Sequence, residues 1–83
     1  MAAHDLFTVE TAQAEIAAMR RALSRGRWTS EQARRLFELK HDLVQEQAMA
    51  EQQGQRDLRC RWLETRLHWE ALYAMALAMH LVP

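Results

Sequence analysis

Side chains that can bind metals or transfer protons fall into two short groupings. Glu38 and His41 are three residues apart, Glu64 and His68 are four apart, and His80 follows twelve residues later. Carboxylates and imidazoles serve as metal ligands and as general acids or bases, but a metal site needs three or four of them to converge. At about 100° per residue on a helix these groups point in different directions, so we predict no metal site.

The Glu38-x-x-His41 step resembles half of a ferritin-like di-iron site. The resemblance implies inward-facing ligands in a helical bundle, completed by dimerisation, with a further carboxylate from Glu10 or Glu15. At about 100° per residue, Glu38 lies roughly 140° and His41 roughly 80° from the core position Ala33, at the edge of the core face or outside it. A dimer-assembled metal site is therefore the least favoured alternative.

No residue has the neighbours of an activated nucleophile. Cys60 has no histidine within one helical turn, and Ser24 and Ser30 fall where helices are expected to end or begin. The chain also lacks a glycine-rich phosphate loop. The sequence therefore predicts a protein that is not an enzyme, with no catalytic residue and no cofactor.

A basic cluster surrounds the turn near Gly26. It contains six arginines within sixteen residues, with Trp28 among them and Glu31 as the single acid: Arg20, Arg21, Arg25, Arg27, Arg34 and Arg35. Guanidinium groups pair with phosphates and carboxylates, so binding of a nucleic acid or an acidic partner is an alternative function. The eleven basic and eleven acidic residues cancel, which argues against nucleic acid as the main partner.

Length and composition predict one small domain spanning residues 1–83. A chain this short has a marginal core, which oligomerisation often supplements. The polar His4 and Asp5 argue against a signal peptide, and the lone cysteine fits a reducing compartment, so we expect a cytoplasmic protein. No stretch approaches the roughly 20 apolar residues that a membrane helix needs. The abundance of Arg and Ala is typical of GC-rich bacterial genomes.

Gly26 and Gly54 divide a helix-forming composition into three predicted helices, at about 9–25, 30–53 and 57–81. Their expected N-caps are Thr8, Thr29 and Asp57. Short loops favour antiparallel neighbours, so the expected fold is all-α: an antiparallel hairpin of two long helices plus a shorter N-terminal helix, a three-helix bundle that oligomerises. One glycine costs about 1 kcal/mol in a helix, so a continuous helix through Gly54 stays open as an alternative.

Apolar spacing predicts which face of each helix is buried. Helix 1 is expected to bury Val9, Ala12, Ile16, Met19 and Leu23. Helix 2 is expected to bury Ala33, Leu36, Phe37, Leu43 and Val44. Helix 3 has one face with Leu58, Trp62, Thr65, Trp69, Leu72 and Ala76, and a second with Leu63, Leu67, Ala74, Leu77 and Leu81. Lys40 falls inside the helix 2 stripe, where we expect its stem to pack and its ammonium to reach solvent. The alternative is an ion pair with a carboxylate such as Glu15 of helix 1, or with a partner.

Residues 71–82 form an uncharged apolar run, and the functional prediction rests on it. Such a helix is apolar on every side, whereas two other helices can cover only about two of its sides. We therefore expect a protein partner, either a second copy or a different chain, as for an adaptor, co-chaperone, inhibitor or regulatory subunit. The predicted interface consists of Leu36, Phe37, Leu72, Tyr73, Met75, Leu77, Met79 and Leu81.

Overall fold

Three α-helices make up the computed structural model, which describes residues 7–83. They are α1 (Val9–Ser24), α2 (Ser30–Gln52) and α3 (Arg56–Ala78). The described residues contain no strand, so the all-α prediction is confirmed. His4 and Asp5, on which the signal-peptide prediction rests, lie outside the described residues.

The first two helices begin with capping boxes. The Thr8 hydroxyl accepts a hydrogen bond from the Thr11 amide at 3.1 Å, and the Thr11 side chain accepts one from the Thr8 amide at 2.8 Å. At α2, Thr29 and Gln32 make the equivalent pair at 3.2 and 2.9 Å. Each box satisfies two backbone N–H groups that a helix start would otherwise leave without partners, and both predicted N-caps are confirmed.

The third helix begins differently from the prediction. Gln55 occupies the N-cap position and makes no side-chain cap hydrogen bond, while Asp57 lies inside the first turn. The expectation that Asp57 is the N-cap was wrong. Its carboxylate acts instead through the positive end of the helix dipole, which favours an acidic residue anywhere in the first turn.

All three helices end in the same backbone geometry. Gly26, Gly54 and His80 have positive φ angles of 69°, 71° and 59°. In each case the amide of the next residue donates to the carbonyl five residues before it, at 2.8–2.9 Å, as in a Schellman motif. Because His80 takes up this left-handed conformation, α3 ends at Ala78 rather than at the predicted 81.

The buried faces of α1 and α3 follow the predicted spacing. Helix α3 packs against both α1 and α2. The buried residues of α1 are Val9, Ala12, Ile16, Met19 and Leu23, as predicted. Those of α3 are Trp62, Thr65, Trp69, Leu72 and Ala76, while Leu58, the remaining member of the predicted face, is half-buried against the core. Repeated spacings of three and four residues keep one narrow side of each helix toward its neighbour.

The buried face of α2 differs from the prediction. Its buried residues are Leu36, Leu39, Leu43 and Ala50. Phe37 and Val44 are 41% and 40% exposed, so their assignment to the core was wrong. Leu39 takes that place because it stands three residues after Leu36 and four before Leu43, which continues the narrow seam.

The contacts between α2 and α3 occur in reverse order along the two helices. Three pairs of side chains join them: Phe37 with Tyr73, Lys40 with Trp69, and Gln47 with Arg66. The aromatic ring centroids are 5.8 Å apart, and the ammonium lies 5.8 Å from the indole ring centroid. The guanidinium donates to the amide oxygen at 2.8 Å. Residues late in α3 thus lie beside residues early in α2.

Thr65 is the one polar residue among the fully buried side chains of the described chain. Its hydroxyl donates to the Arg61 carbonyl at 2.8 Å and accepts from the Gln13 side-chain amide of α1 at 3.2 Å. Both hydrogen-bonding functions of the hydroxyl are therefore satisfied, so its burial carries little desolvation cost.

Candidate protein-binding surface

A set of large apolar side chains remains exposed on α2 and α3. Leu67 is 59% exposed, Leu77 is 44% and Leu63 is 40%, and Phe37 and Val44 of α2 are exposed to a similar extent. Together with the exposed Ala74, these residues form what we call the outer face: Phe37, Val44, Leu63, Leu67, Ala74 and Leu77. The α3 members follow one another at spacings of four, seven and three residues, so they share one side of the helix.

The outer face lies on the side of α3 that α1 does not cover. Helix α1 approaches α3 at Arg61 and Thr65, through hydrogen bonds from Arg61 to Glu10 and from Gln13 to Thr65. Helix α2 approaches α3 on its other side, at Tyr73. Each residue of a helix is turned by about 100° around the helix axis relative to the one before it. Counted in this way, the sides of α3 follow the order α1-facing, α2-facing and then the exposed leucines. The leucines therefore point away from α1.

The predicted interface residues divide into three groups by exposure. Phe37, Leu77 and Met79 are 41%, 44% and 51% exposed. Half-buried positions hold Tyr73, Met75 and Leu81. Leu36 and Leu72 are 0% and 1% exposed, so neither can touch a partner, and their inclusion is corrected. Both lie on the narrow seams where α2 and α3 pack within the chain.

Sequence reasoning missed four members of the outer face as partner contacts. Leu63, Leu67 and Ala74 were assigned to a second face without a function, and Val44 was assigned to the core. Charged residues such as Glu64 and Arg66 interrupt this part of α3, so no continuous apolar run marks it. The available signal was the seven-residue repeat, which links Phe37 to Val44 and Leu67 to Ala74.

Lys40 lies at the edge of the outer face. Its side chain is exposed, and its ammonium lies 5.8 Å from the centroid of the Trp69 ring, within the range of a cation–π contact. Trp69 in turn stacks on Tyr73 at 5.2 Å. The expectation that the stem packs and the ammonium reaches solvent fits this placement. The alternative pair with Glu15 was wrong, because Glu15 binds Arg35.

Five of the six clustered arginines are exposed and make no ion pair with a described carboxylate: Arg20, Arg21, Arg25, Arg27 and Arg34. Arg35 differs, because it donates to both Glu15 oxygens at 2.6 and 3.0 Å and lies 3.5 Å from Asp42. The hydrogen bond to Glu15 is the main cause that raises the pKa of Arg35. Arg35 therefore joins α1 to α2 and is not available to an anionic partner.

Trp28 contributes to the fold at the turn between α1 and α2. Its ring is half-buried against the core, and its indole N–H is buried without a hydrogen-bond partner among the described residues. A ring in this position cannot stack on a nucleotide base without leaving the core. The alternative of nucleic-acid binding therefore finds no support at this residue.

The candidate catalytic and metal-binding residues remain dispersed. Glu38 lies 3.6 Å from the Arg35 guanidinium, and His41 is exposed. Glu64 and His68 line an open groove of about 380 Å³ between α1 and α3. Across residues 7–83, no three His, Cys, Asp or Glu side chains converge as metal ligands would. The described residues thus do not bring these candidates together as a metal site.

The apolar C-terminal run is divided between core and surface. Leu72, Ala76 and Val82 are buried, whereas Leu77 and Met79 are about half exposed. Within the described part of the chain, no helix has the length and hydropathy needed to cross a membrane. The run therefore contributes one side to the core and another to the outer face.

Similarity to known proteins gives no independent indication of function. The exposed side chains of the described residues are therefore the basis for inferring one. No protein-family model, no curated protein and no solved structure matches this chain.

Proposed function

We propose that this chain is a protein-binding helical module in which α2 and α3 form an antiparallel hairpin and the outer face of that hairpin binds a partner. The main support for this proposal is that five large apolar side chains, all on the side away from α1, are 40–59% exposed. The reverse order of the contacts between α2 and α3 supports the hairpin.

Burial of the outer face would release appreciable free energy. Complete burial of a leucine, valine or phenylalanine side chain contributes about 1.5–3 kcal/mol, so covering the exposed half contributes about 1 kcal/mol each. Five such side chains give about 5 kcal/mol for one copy before the entropic cost of association. That is comparable to the whole stability of a small domain, so an uncovered face of this kind is unusual.

Photo-cross-linking in the native host tests the proposal. We would place the photoreactive residue p-benzoylphenylalanine at Leu67 in the middle of the outer face, and at the exposed Ala14 of α1 as a matched control. A covalent adduct with a protein, either the chain itself or another, is expected at Leu67 and not at Ala14. Adducts that are absent from Leu67, or equally abundant at both positions, would contradict the proposal.

A second candidate function is supported by the five exposed arginines around the turn between α1 and α2. Their lack of described carboxylate partners leaves them free to bind phosphates or an acidic protein. The triple change Arg20→Glu, Arg21→Glu and Arg25→Glu should then abolish retention on heparin while leaving the mass in solution unchanged. Unchanged retention on heparin would remove this candidate.

A further inference from the structure

Five residues at regular spacing, one of them charged, lie along the outer side of α3. The series runs Leu63, Leu67, Glu70, Ala74 and Leu77, at spacings of four and three, and all five residues are exposed. Helix α2 presents a similar series on its outer side, in which Ala33 is half-buried and the other four residues are exposed: Ala33, Phe37, Lys40, Val44 and Ala48. Each series thus consists of four apolar residues and one charged residue of opposite sign to the other.

The contacts within the chain fix which members of the two series lie level with each other. Phe37 contacts Tyr73, and Lys40 contacts Trp69. Counting from these contacts, Lys40 is level with Glu70, while every other level pairs two apolar residues. Those levels are Ala33 with Leu77, Phe37 with Ala74, Val44 with Leu67, and Ala48 with Leu63.

We infer that the occupant of the outer face is a second copy of this chain, related by a two-fold axis parallel to the helices. Such an axis places α2 of each copy directly against α3 of the other copy. The two helices lie at the same height along the axis, and their chains run in opposite directions. Leu67 then meets Val44 of the second copy, and the two hairpins build a four-helix bundle with antiparallel neighbours. This inference rests on the proposed function, since it names the partner of the same face.

Charge complementarity selects this arrangement. Under the parallel two-fold axis, Lys40 of each copy meets Glu70 of the other, which gives two opposite-charge pairs within an otherwise apolar contact. The alternative is a two-fold axis perpendicular to the helices, at the level of Lys40 and Glu70. It would bring Glu70 of one copy against Glu70 of the other, and Lys40 against Lys40. Like charges brought together across an interface are strongly unfavourable, so the parallel axis is favoured.

The area of the outer face is close to that of a standard protein–protein interface. Helices α2 and α3 each have 23 residues, so at 1.5 Å per residue each is about 35 Å long. Two adjacent helices, each about 10 Å across, present a face of about 700 Å². Stable protein–protein interfaces bury about 800 Å² per partner, so one face of this size nearly meets the requirement.

A charge-exchange experiment tests both the second copy and its orientation. We would measure sedimentation equilibrium of the wild type, of Lys40→Glu and of Glu70→Lys, each alone, and of the two variants mixed in equal amounts. Each variant alone brings like charges together at both pairs, and its dimer should weaken by about tenfold or more. The mixed dimer restores opposite charges at both pairs, so mixing should recover about tenfold in affinity.

Arg21→Glu provides the matched control, because Arg21 is an exposed residue of α1 away from the outer face. It should leave the dimer dissociation constant unchanged. Circular dichroism would establish that Lys40→Glu and Glu70→Lys keep the helical content of the wild type, as expected for changes at exposed positions. A mixture that dimerises no better than either variant alone would overturn the arrangement.

The outcomes separate this inference from the proposed function. If the wild type stays monomeric at every concentration while Leu67 cross-links to a different protein, the second-copy inference is wrong and the protein-binding function stands. If Leu67 forms no specific adduct and the chain is monomeric, both are wrong. A dimer that the charge changes do not affect would place the second copy on another face.

Discussion

Two indole groups of this chain have opposite hydrogen-bonding situations, and the difference is testable. The Trp69 N–H donates to the Leu36 carbonyl at 2.7 Å, whereas the Trp28 N–H is buried without a partner among the described residues. A hydrogen bond contributes about 1 kcal/mol, while an unsatisfied buried donor costs about 1–3 kcal/mol. The same substitution should therefore have different consequences at the two positions.

Trp69→Phe should lower the free energy of unfolding by about 1–3 kcal/mol, because the hydrogen bond to Leu36 and part of the stacking on Tyr73 are lost. Trp28→Phe should change it by less than about 1 kcal/mol, because removal of the unsatisfied N–H offsets the lost apolar area. Urea denaturation at equal, low protein concentration measures both. Equal losses would mean that the two indoles contribute in the same way.

Arg34 and Arg35 are neighbours with different partners. Arg35 binds Glu15 of α1 through two hydrogen bonds, and its side chain is 32% exposed, whereas Arg34 is exposed and has no described ion-pair partner. Arg35→Ala should lower the free energy of unfolding by about 1 kcal/mol, the upper end for a partly exposed bidentate pair. Arg34→Ala, the control, should have almost no effect. The comparison fails if thermal unfolding of the two variants is indistinguishable.

At the scale of the elements, the helix ends differ in how well their residues suit a left-handed backbone. A Cβ added at Gly54 would meet nothing within 4 Å, so only its φ of 71° opposes a side chain there. His80 already bears that conformational cost at a φ of 59°. The left-handed region costs a residue with a Cβ about 1–2 kcal/mol relative to right-handed backbone.

Exchanges at these two positions should therefore act in opposite directions. Gly54→Ala should lower the free energy of unfolding by about 1 kcal/mol. His80→Gly should raise it by about 0.5 kcal/mol, because relief of the conformational cost exceeds the entropy that glycine adds to the unfolded chain. Chemical denaturation of both variants is the measurement. A loss of stability in His80→Gly would show that its imidazole makes a contribution that outweighs the strain.

The sequence predicted the helices well because caps, glycines and spacing all act locally. It also predicted the buried face of α1 and offered two apolar faces for α3, of which the structure buries the one with Trp62, Trp69 and Leu72. Helix α2 carries two competing stripes, one through Leu36, Leu39 and Leu43 and one through Phe37 and Val44. Adjacent positions on a helix differ by only about 100°, so the choice between the stripes depends on where α3 packs.

The outer face was predicted only in part for a related reason. The apolar run at residues 71–82 was the basis for predicting an interface at the end of α3, and Leu77 there is exposed. Leu63 and Leu67 lie in a mixed segment: their spacing places them on one side of α3, but their exposure follows only once the opposite side of α3 is known to be buried. The exposure of a side chain depends on how the three helices pack, so the local sequence alone does not determine it.

At the scale of the whole molecule, dimerisation through the outer face would couple stability to concentration. Because only the folded chain has this face, association stabilises the folded state by mass action. The Tm of the wild type should therefore rise with protein concentration across the micromolar range. Differential scanning calorimetry at a series of concentrations measures this.

Leu67→Gln removes the most exposed apolar side chain of the outer face and should abolish the concentration dependence of Tm. Its Tm at the lowest concentration should match that of the wild type, because Leu67 contributes little to the core of one chain. The matched control is Met49→Gln, which changes a residue that is 48% exposed outside the outer face. A wild-type Tm that is independent of concentration would contradict dimerisation.

The hydrogen bond from half-buried Gln13 to buried Thr65 has a consequence for how α1 recognises α3. The seam of α1 is uniformly apolar and repeats at regular intervals, so sliding the helix by one turn would still bury most of it. A slid helix would move Gln13 away from Thr65 and leave the hydroxyl, which is 0% exposed, without its donor. This one polar contact thus penalises misaligned docking, and it contributes to the uniqueness of the fold more than to its stability.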